Sequence, residues 1–380
     1  MEWIADFTWD IPTLLFAIFF VVILVQLAFY WRYFWRLAFY RPINKKGYTG
    51  GVSIVICARN EHHNLIKNLP LLLKQDYHLF EVVVVDDASD DDTAHLLQQL
   101  QKHHLHLKVI TLKESVNFFK GKKLPLSVGI KSAKHDVILL TEADCRPAGP
   151  HWVTRMVDNF EGNTEIVLGY GGYEPRPGLL NKLIRFDTLF IAMQYFGLAL
   201  AGNPYMGVGR NLAYKKDLFF RAKGFTSHYK IAAGDDDLFI NQVATSDNVA
   251  IEISPHSHTC SSPKNTFRSW LYHKKTHMIT GKYYKKKHKR ILGLFSFTNF
   301  VFYPLLVLTI WFNGLEMLSL VAVGLFLVRK MTLLVVFSKI MGRFHERKLF
   351  PFSIFFEVLY PFIKFIFVLA SLFYTKQAWR

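Results

Sequence analysis

Cysteine is scarce in this 380-residue chain: Cys57, Cys145 and Cys260 are the whole complement, an odd number without a CxxC pair. That excludes a disulfide framework, gives no zinc signature and suits a reducing compartment. Acidic charge is thin as well, with 29 Asp and Glu against 46 Lys and Arg, a net charge of +17. The excess is apolar: 51% of residues are hydrophobic and 16% aromatic, with 35 Phe. Disorder, fibrous repeats and small stapled scaffolds are thereby excluded, and the length suffices for one large core or two modest ones. Nucleic-acid binding is the usual reading of a basic chain, but it does not explain the phenylalanine. A polar domain joined to membrane spans, its basic excess facing a cytoplasmic leaflet, explains both. The expected partner is therefore a membrane and not a nucleic acid.

Long apolar runs locate that membrane. Residues 11–31 are almost wholly apolar, and about 20 residues suffice to span. Acids precede the run (Glu2, Asp6, Asp10) and bases follow it (Arg32, Arg36, Arg41, Lys45, Lys46). This is unlike a cleavable signal peptide and puts the N-terminus outside. A second span is expected over 292–312, after the basic run Lys285, Lys286, Lys287, Lys289 and Arg290. A third starts near Leu315 but meets Arg329 and Lys330. Either it ends there, or it runs to about Phe337 with those cations snorkelling or facing other helices. The last is expected over 352–374, with Glu357 and Lys364 inside it, giving four spans and a C-terminus outside. The apolar stretch 179–201 carries Lys182, Arg185 and Asp187, which favours an amphipathic helix on the membrane surface over a span. The domain expectation is an N-terminal transmembrane helix (1–35), a cytoplasmic domain with interfacial helices (50–290) and C-terminal transmembrane helices (291–375).

Between the spans, strand and helix signals alternate. Runs at 52–56, 80–85, 108–111 and 137–140 read as strands, and 60–74 and 93–103 carry helical apolar spacing. Such alternation argues for an α/β fold with a mostly parallel sheet covered on both faces, in which ligands bind beyond the carboxyl ends of the strands. Polar clusters fall there: Arg59-Asn60-Glu61, Asp86-Asp87 and Glu142-Ala143-Asp144. Each has a bland reading. Residues 90–93 suit a capped helix start, Asp144 could be a turn residue, and Gly121-Lys122-Lys123 could be a solvated loop, although cations between acidic rims also suit a diphosphate. The 27 residues from Lys264 to Arg290 hold ten Lys or Arg among Trp and Tyr. Anionic lipid, rather than RNA, is the expected contact next to a span.

Taken in order, Ser53-Ile54-Val55-Ile56-Cys57-Ala58-Arg59-Asn60-Glu61, Val83-Val84-Val85-Asp86-Asp87, Gly121-Lys122-Lys123, Thr141-Glu142-Ala143-Asp144 and Gly234-Asp235-Asp236-Asp237 resemble the motifs of processive-type family 2 glycosyltransferases with the GT-A fold, across residues 50–290. The resemblance implies an inverting transfer from a nucleotide diphosphate sugar. It implies a divalent metal, Mg2+ or Mn2+, at Asp144, the last acid of a DxD motif whose first acid is here Glu142. It implies nucleotide contacts from Arg59, Glu61 and Asp87, and contacts to the nucleotide or its phosphates from Lys122 or Lys123. In the acidic run it implies that Asp236 is the acceptor base, with Asp235 as the alternative should the register shift by one; the bland reading is an acid-capped helix start. The family's Q-x-x-R-W is altered: His273, Thr276 and His277 stand at its Gln, Arg and Trp, and Lys274 or Lys275 is expected to supply the missing cation. Loss of that Trp argues against long-chain polymer synthesis. The expected acceptor is a lipid or lipid-linked glycan at the cytoplasmic face of the cell membrane. The alternatives are a polysaccharide synthase that extrudes its product, and a non-catalytic scaffold that keeps the fold.

Overall fold

The β-branched runs form the sheet. In the computed structural model, which describes residues 10–42, 47–113, 121–231 and 233–372, they are strands β1 (Val52–Ala58), β2 (Phe80–Asp87), β3 (Leu107–Leu112) and β4 (Val137–Leu140). Pairing is parallel between β1 and β2, β1 and β4, and β2 and β3. Helices His62–Leu73, Thr93–His103 and Lys123–Ser132 connect them. Later come β5 (Cys145–Pro147), β6 (Ile166–Leu168), β7 (Gly171–Tyr173), β8 (Leu212–Lys215), β9 (Val249–Ile251) and β10 (Thr259–Ser261). The main sheet has the order β3-β2-β1-β4-β8-β6-β9, and β5, β10 and β7 form a small second sheet. In the main sheet β8 alone is reversed, antiparallel to both β4 and β6. Alternation along β1 feeds two cores. Ile54 and Ile56 pack with Leu65, Leu69 and Trp152 on one face, and Val55 packs with Val83, Leu126 and Ile130 on the other.

Among the described residues, five helices are long and apolar enough to cross a membrane: Ile11–Ala38, Leu179–Leu200, Lys286–Asn313, Met317–Arg343 and Arg347–Ala370. Asp10 caps the first, accepting from Thr13 N at 2.9 Å, and the same helix widens into a π-helical turn at Tyr30–Phe34. Glu2, Asp6, Lys45, Lys46 and Tyr374, used above to orient and bound the spans, lie outside the described residues. Met317–Arg343 runs without interruption. Arg329 is fully buried within it, paired with Glu357 at 2.6 Å and bonded to Gln26 and Tyr30, while Lys330 meets Glu357 at 3.0 Å. Of the two expectations for these cations, the one in which they face other helices therefore holds.

Helix Leu179–Leu200 departs from a surface-lying amphipath. It buries 15 of its 22 residues, and its approach to the first helix is so close that a Cβ on Gly197 would sit 2.9 Å from the Tyr33 carbonyl oxygen. The polar residues that argued against a span are interior partners. Arg185 pairs with Glu346, and Asp187 pairs with Lys274 at 2.8 Å while accepting from the Tyr360 hydroxyl at 2.6 Å. Helix Phe350–Leu372 has the length expected of a span, but it touches elements of the 50–290 segment at both ends. Lys182 lies 4.0 Å over the Phe352 ring, and Phe367 meets Trp270 with ring centroids 5.0 Å apart. Those two phenylalanines are about 22 Å apart along the axis, so this helix runs along the underside of the domain.

Candidate functional site

Three parallel strands end on one rim, and the reversed β8 brings a fourth segment to it. Leu140 at the end of β4 is opposite Leu212 at the start of β8, so residues 207–211 adjoin residues 141–144. The Thr141 hydroxyl donates to the Arg210 carbonyl at 3.1 Å. The loops after β1 and β2 are sewn together: Asn60 N donates to Ser89 Oγ at 2.9 Å, Asp90 N to Asn60 Oδ1 at 2.8 Å, and Glu61 N to Thr93 Oγ1 at 3.0 Å. This holds Arg59 and Glu61 at the strand end. Glu61 accepts from Asn64 at 2.6 Å, and burial raises its pKa despite that bond. Asp87 is buried at the end of β2.

Two residues to which the sequence assigns no individual role stand out at this rim. Asp86 is buried; its Oδ1 accepts from Ser89 N and Oγ at 3.2 and 2.5 Å, and its Oδ2 has no hydrogen-bond partner among the described residues. The Arg210 guanidinium donates to the Gly172 carbonyl at 3.1 Å, stacks 4.4 Å over Tyr173 and adds positive potential at Glu142 and Asp144. The glycine-bearing loop 207–211 was the available signal for Arg210, and it does not distinguish a site from a turn.

Lys122 pairs with Glu142 at 2.7 Å. Burial disfavours its charge, but Glu142 and Asp235 more than offset that and raise its pKa. Burial likewise works against the Glu142 carboxylate, and Lys122 outweighs it, so the pKa falls. Asp144 shifts the opposite way, raised by burial and then by Glu142. Ligand atoms of Glu142, Asp144 and Cys145 lie within 4.8 Å of one another. Cys145 is a thiol whose pKa burial pushes well up, which leaves carboxylate oxygen as the donor type, suited to a hard divalent cation.

The acidic run closes the opposite side. Gly234 has φ +95°, and a Cβ there would meet the Leu238 side chain at 2.5 Å, so only glycine admits this turn. Asp235 is raised to about 6 by burial and by Asp236. Asp236 caps the helix Asp237–Val243 and accepts from Gly209 N and Asp237 N, each at 2.7 Å; burial still raises its pKa. Asp237 is turned away, accepting from Leu238 N at 2.7 Å, Tyr284 OH at 2.6 Å and the Thr280 hydroxyl. Burial and Asp236 raise it to about 7.

Two expected nucleotide-binding lysines are used elsewhere. Lys123 Nζ donates to the carbonyls of His228, Ile231 and Ala233 at 2.7, 2.7 and 2.8 Å, which occupies all three of its protons. Burial lowers it to about 8. It anchors the loop ahead of Gly234. Lys274 is taken by Asp187, because helix Phe267–Met278 turns that position toward the apolar helices. Lys275 is half-buried on the same helix. His273 and His277, one turn apart, approach through their Nε2 atoms at 3.3 Å. His277 falls within the field of Glu142 and Asp235, so this helix borders the acidic rim. The Thr276 side chain lies outside the described set.

Residues 53–220 match the family model "Glycosyl transferase family 2". An uncharacterized glycosyltransferase of Haemophilus influenzae is 28% identical over 155 residues, 41% of this chain and 44% of that one. Poly-β-1,6-N-acetyl-D-glucosamine synthase of Staphylococcus epidermidis is 27% identical over 134 residues, 35% of this chain and 30% of that one. The matched stretch thus spans under half the length of these curated relatives. Among solved structures, a mannosyltransferase from Pyrobaculum calidifontis, in complex with GDP-Man and Mn2+, superposes with a TM-score of 0.56 at 18% identity, over 91% of this chain and 97% of that one. That likeness establishes the GT-A fold.

Proposed function

Because the chain is a family 2 glycosyltransferase across residues 53–220, we propose that it moves a sugar from a nucleotide diphosphate sugar to a lipid or lipid-linked glycan, as a multi-pass membrane protein with its catalytic domain on the cytoplasmic face. The observation that carries this is the convergence of two carboxylate groups, Glu142–Asp144 and Asp235–Asp236, on one rim with Lys122 and Arg210 between them. Five long apolar helices support the membrane assignment.

The acceptor hydroxyl oxygen attacks the anomeric carbon, the bond from that carbon to the diphosphate oxygen breaks, and the nucleoside diphosphate leaves with the electron pair. Asp236 takes the hydroxyl proton as general base; Gly209 N and Asp237 N hold its carboxylate in place, and Asp235 takes that role only if the register is shifted by one. Attack from the face opposite the leaving group inverts the anomeric centre. Arg59, Glu61 and Asp87 take the nucleoside, and Asp86 joins them through its unpartnered Oδ2. Lys122 and Arg210 face the diphosphate. Asp144, with Glu142 beside it, would hold Mg2+ or Mn2+, which would neutralise charge on the leaving diphosphate; burial and the Glu142 charge raise the pKa of Asp144. Lys274 is not carried into this role, and Lys275 remains the cation on that helix available to it.

Asp144→Asn is expected to abolish transfer and the metal-dependent part of nucleotide diphosphate binding, with melting unchanged. Titration calorimetry with and without chelator reads the binding arm. Wild-type binding and transfer persisting in excess chelator would overturn the metal assignment. A donor screen with membrane lipid extract as acceptor, read by mass spectrometry, tests the reaction. Nucleotide-sugar binding without any transfer or hydrolysis would leave a non-catalytic scaffold.

A further inference from the structure

A cavity of about 520 Å³ opens between helices Lys286–Asn313 and Phe350–Leu372, and six phenylalanines and three tyrosines line it. This is within the size range of ligand pockets. Tyr30, in the π-helical turn, and Gly293 line it. At one end is Tyr284, whose hydroxyl is 2.6 Å from Asp237 of the acidic run. Its charged lining residues are two lysines, Lys289 and Lys364, and one carboxylate, Glu357. Lys364 donates to Ser296 Oγ at 2.9 Å and has no carboxylate ion pair among the described residues. Lys289 stands at the mouth, donating to the Lys282 carbonyl at 3.2 Å. The nearby carboxylates are already spent: Glu357 on Arg329 and Lys330, and Asp187 on Lys274. A cation held on an apolar wall calls for an anion.

We propose that this cavity takes the acceptor, and that the acceptor is a phosphate-bearing lipid. Its apolar chain lies between the two helices, its phosphate against Lys364 and Lys289, and its headgroup on the Tyr284 side toward the acidic rim. This rests on the lipid-acceptor reading above and adds the charge of the headgroup and the seat of the chain. An uncharged lipid would leave Lys364 uncompensated, and a free phosphate would leave the apolar walls unfilled.

Full-length protein in phosphatidylcholine nanodiscs, photolabelled with diazirine hexadecyl phosphate or diazirine hexadecanol at equal mole fraction, tests this. Labelled peptides are mapped by mass spectrometry. The phosphate probe is expected to label residues 289–300 and 361–368 about tenfold more than the alcohol, as one charge-assisted contact would give. Gly293→Phe, at a position with nothing within 4 Å of an added Cβ, fills the cavity and should cut labelling about tenfold; Lys364→Gln should remove the preference for phosphate. Leu308→Trp, on the outer face of the same helix and 41% exposed, should label as wild type. Equal labelling by the two probes, unchanged labelling in Lys364→Gln, or competition by inorganic phosphate alone would overturn the proposal. Should Gly293→Phe not fold, Lys364→Gln carries the same comparison. Nucleotide-sugar binding is measured on the same samples: its absence refutes the glycosyl-transfer reading, whereas failed labelling beside intact donor binding refutes the cavity assignment alone.

Discussion

Asp235, Asp236 and Asp237 are consecutive and chemically identical, yet their surroundings divide the work among them. Asp236 is held by two main-chain N–H groups at the rim, whereas Asp237 is turned into a hydroxyl pair. Asp236→Asn is expected to lower transfer by a factor of about 10² to 10⁴ with donor affinity kept, and Asp235→Asn to lower it less. Full activity in Asp236→Asn with loss only in Asp235→Asn would move the base by one residue. Because burial raises the pKa of Asp236, wild-type transfer should decline as pH falls through that raised value. Asp237 gives a separate signature in stability. Its folded pKa of about 7 lies above its ordinary 3.8, so between those values the folded state binds the extra proton and stability falls as pH rises. The melting temperature of wild type relative to Asp237→Asn should therefore drop from pH 4 to pH 7 and level off above; a flat difference would contradict the assignment.

At the scale of elements, the junction of three helices decides how the altered acceptor motif is held. Lys274 on helix Phe267–Met278, Asp187 on helix Leu179–Leu200 and Tyr360 on helix Phe350–Leu372 meet at one carboxylate. Removing one partner of a buried pair costs about 3–5 kcal/mol, so Asp187→Ala should lower the melting temperature sharply and weaken transfer by loosening the helix that carries His273 and His277. Tyr360→Phe deletes one hydrogen bond and should cost about 1 kcal/mol. Chemical denaturation of the two variants checks the order; equal costs would show that the ion pair contributes nothing beyond its hydroxyl bond.

For the whole molecule, the expected orientation has the N-terminus outside and residues 50–290 inside, from the bases Arg32, Arg36 and Arg41 after the first helix and the run 285–290 before the next. A lengthwise course for helix Phe350–Leu372 adds that its far end stays on the catalytic domain's side. An impermeant thiol reagent on intact cells should miss a cysteine introduced at Lys286 and a C-terminal cysteine tag alike. Labelling at Lys286 would invert the topology, and labelling of the tag alone would restore a fourth full span ending outside.

Periodicity and strand-end polarity in the sequence by themselves determined the β1 to β4 framework, the first two helices between its strands, the apolar segments and the acids at the strand ends, because those signals are local: alternation, helical spacing, and carboxylates where a parallel strand must end; Asp235 and Asp236 were marked by the family resemblance alone. Strand β8 lay beyond reach, since four residues with no periodic signal acquire their reversed direction only from the neighbours they pair with. So did the fates of Lys122, Lys123 and Lys274. As three basic residues in basic stretches they read alike; the tertiary structure sent one to Glu142, one to three carbonyls and one to Asp187. Helix Leu179–Leu200 shows the same limit. Its charges read as a sign of solvent or headgroups, and only partners more than 80 residues away, Glu346, Lys274 and Tyr360, made it an interior element. A buried charge is settled by what lies across from it in space, and chain order does not carry that.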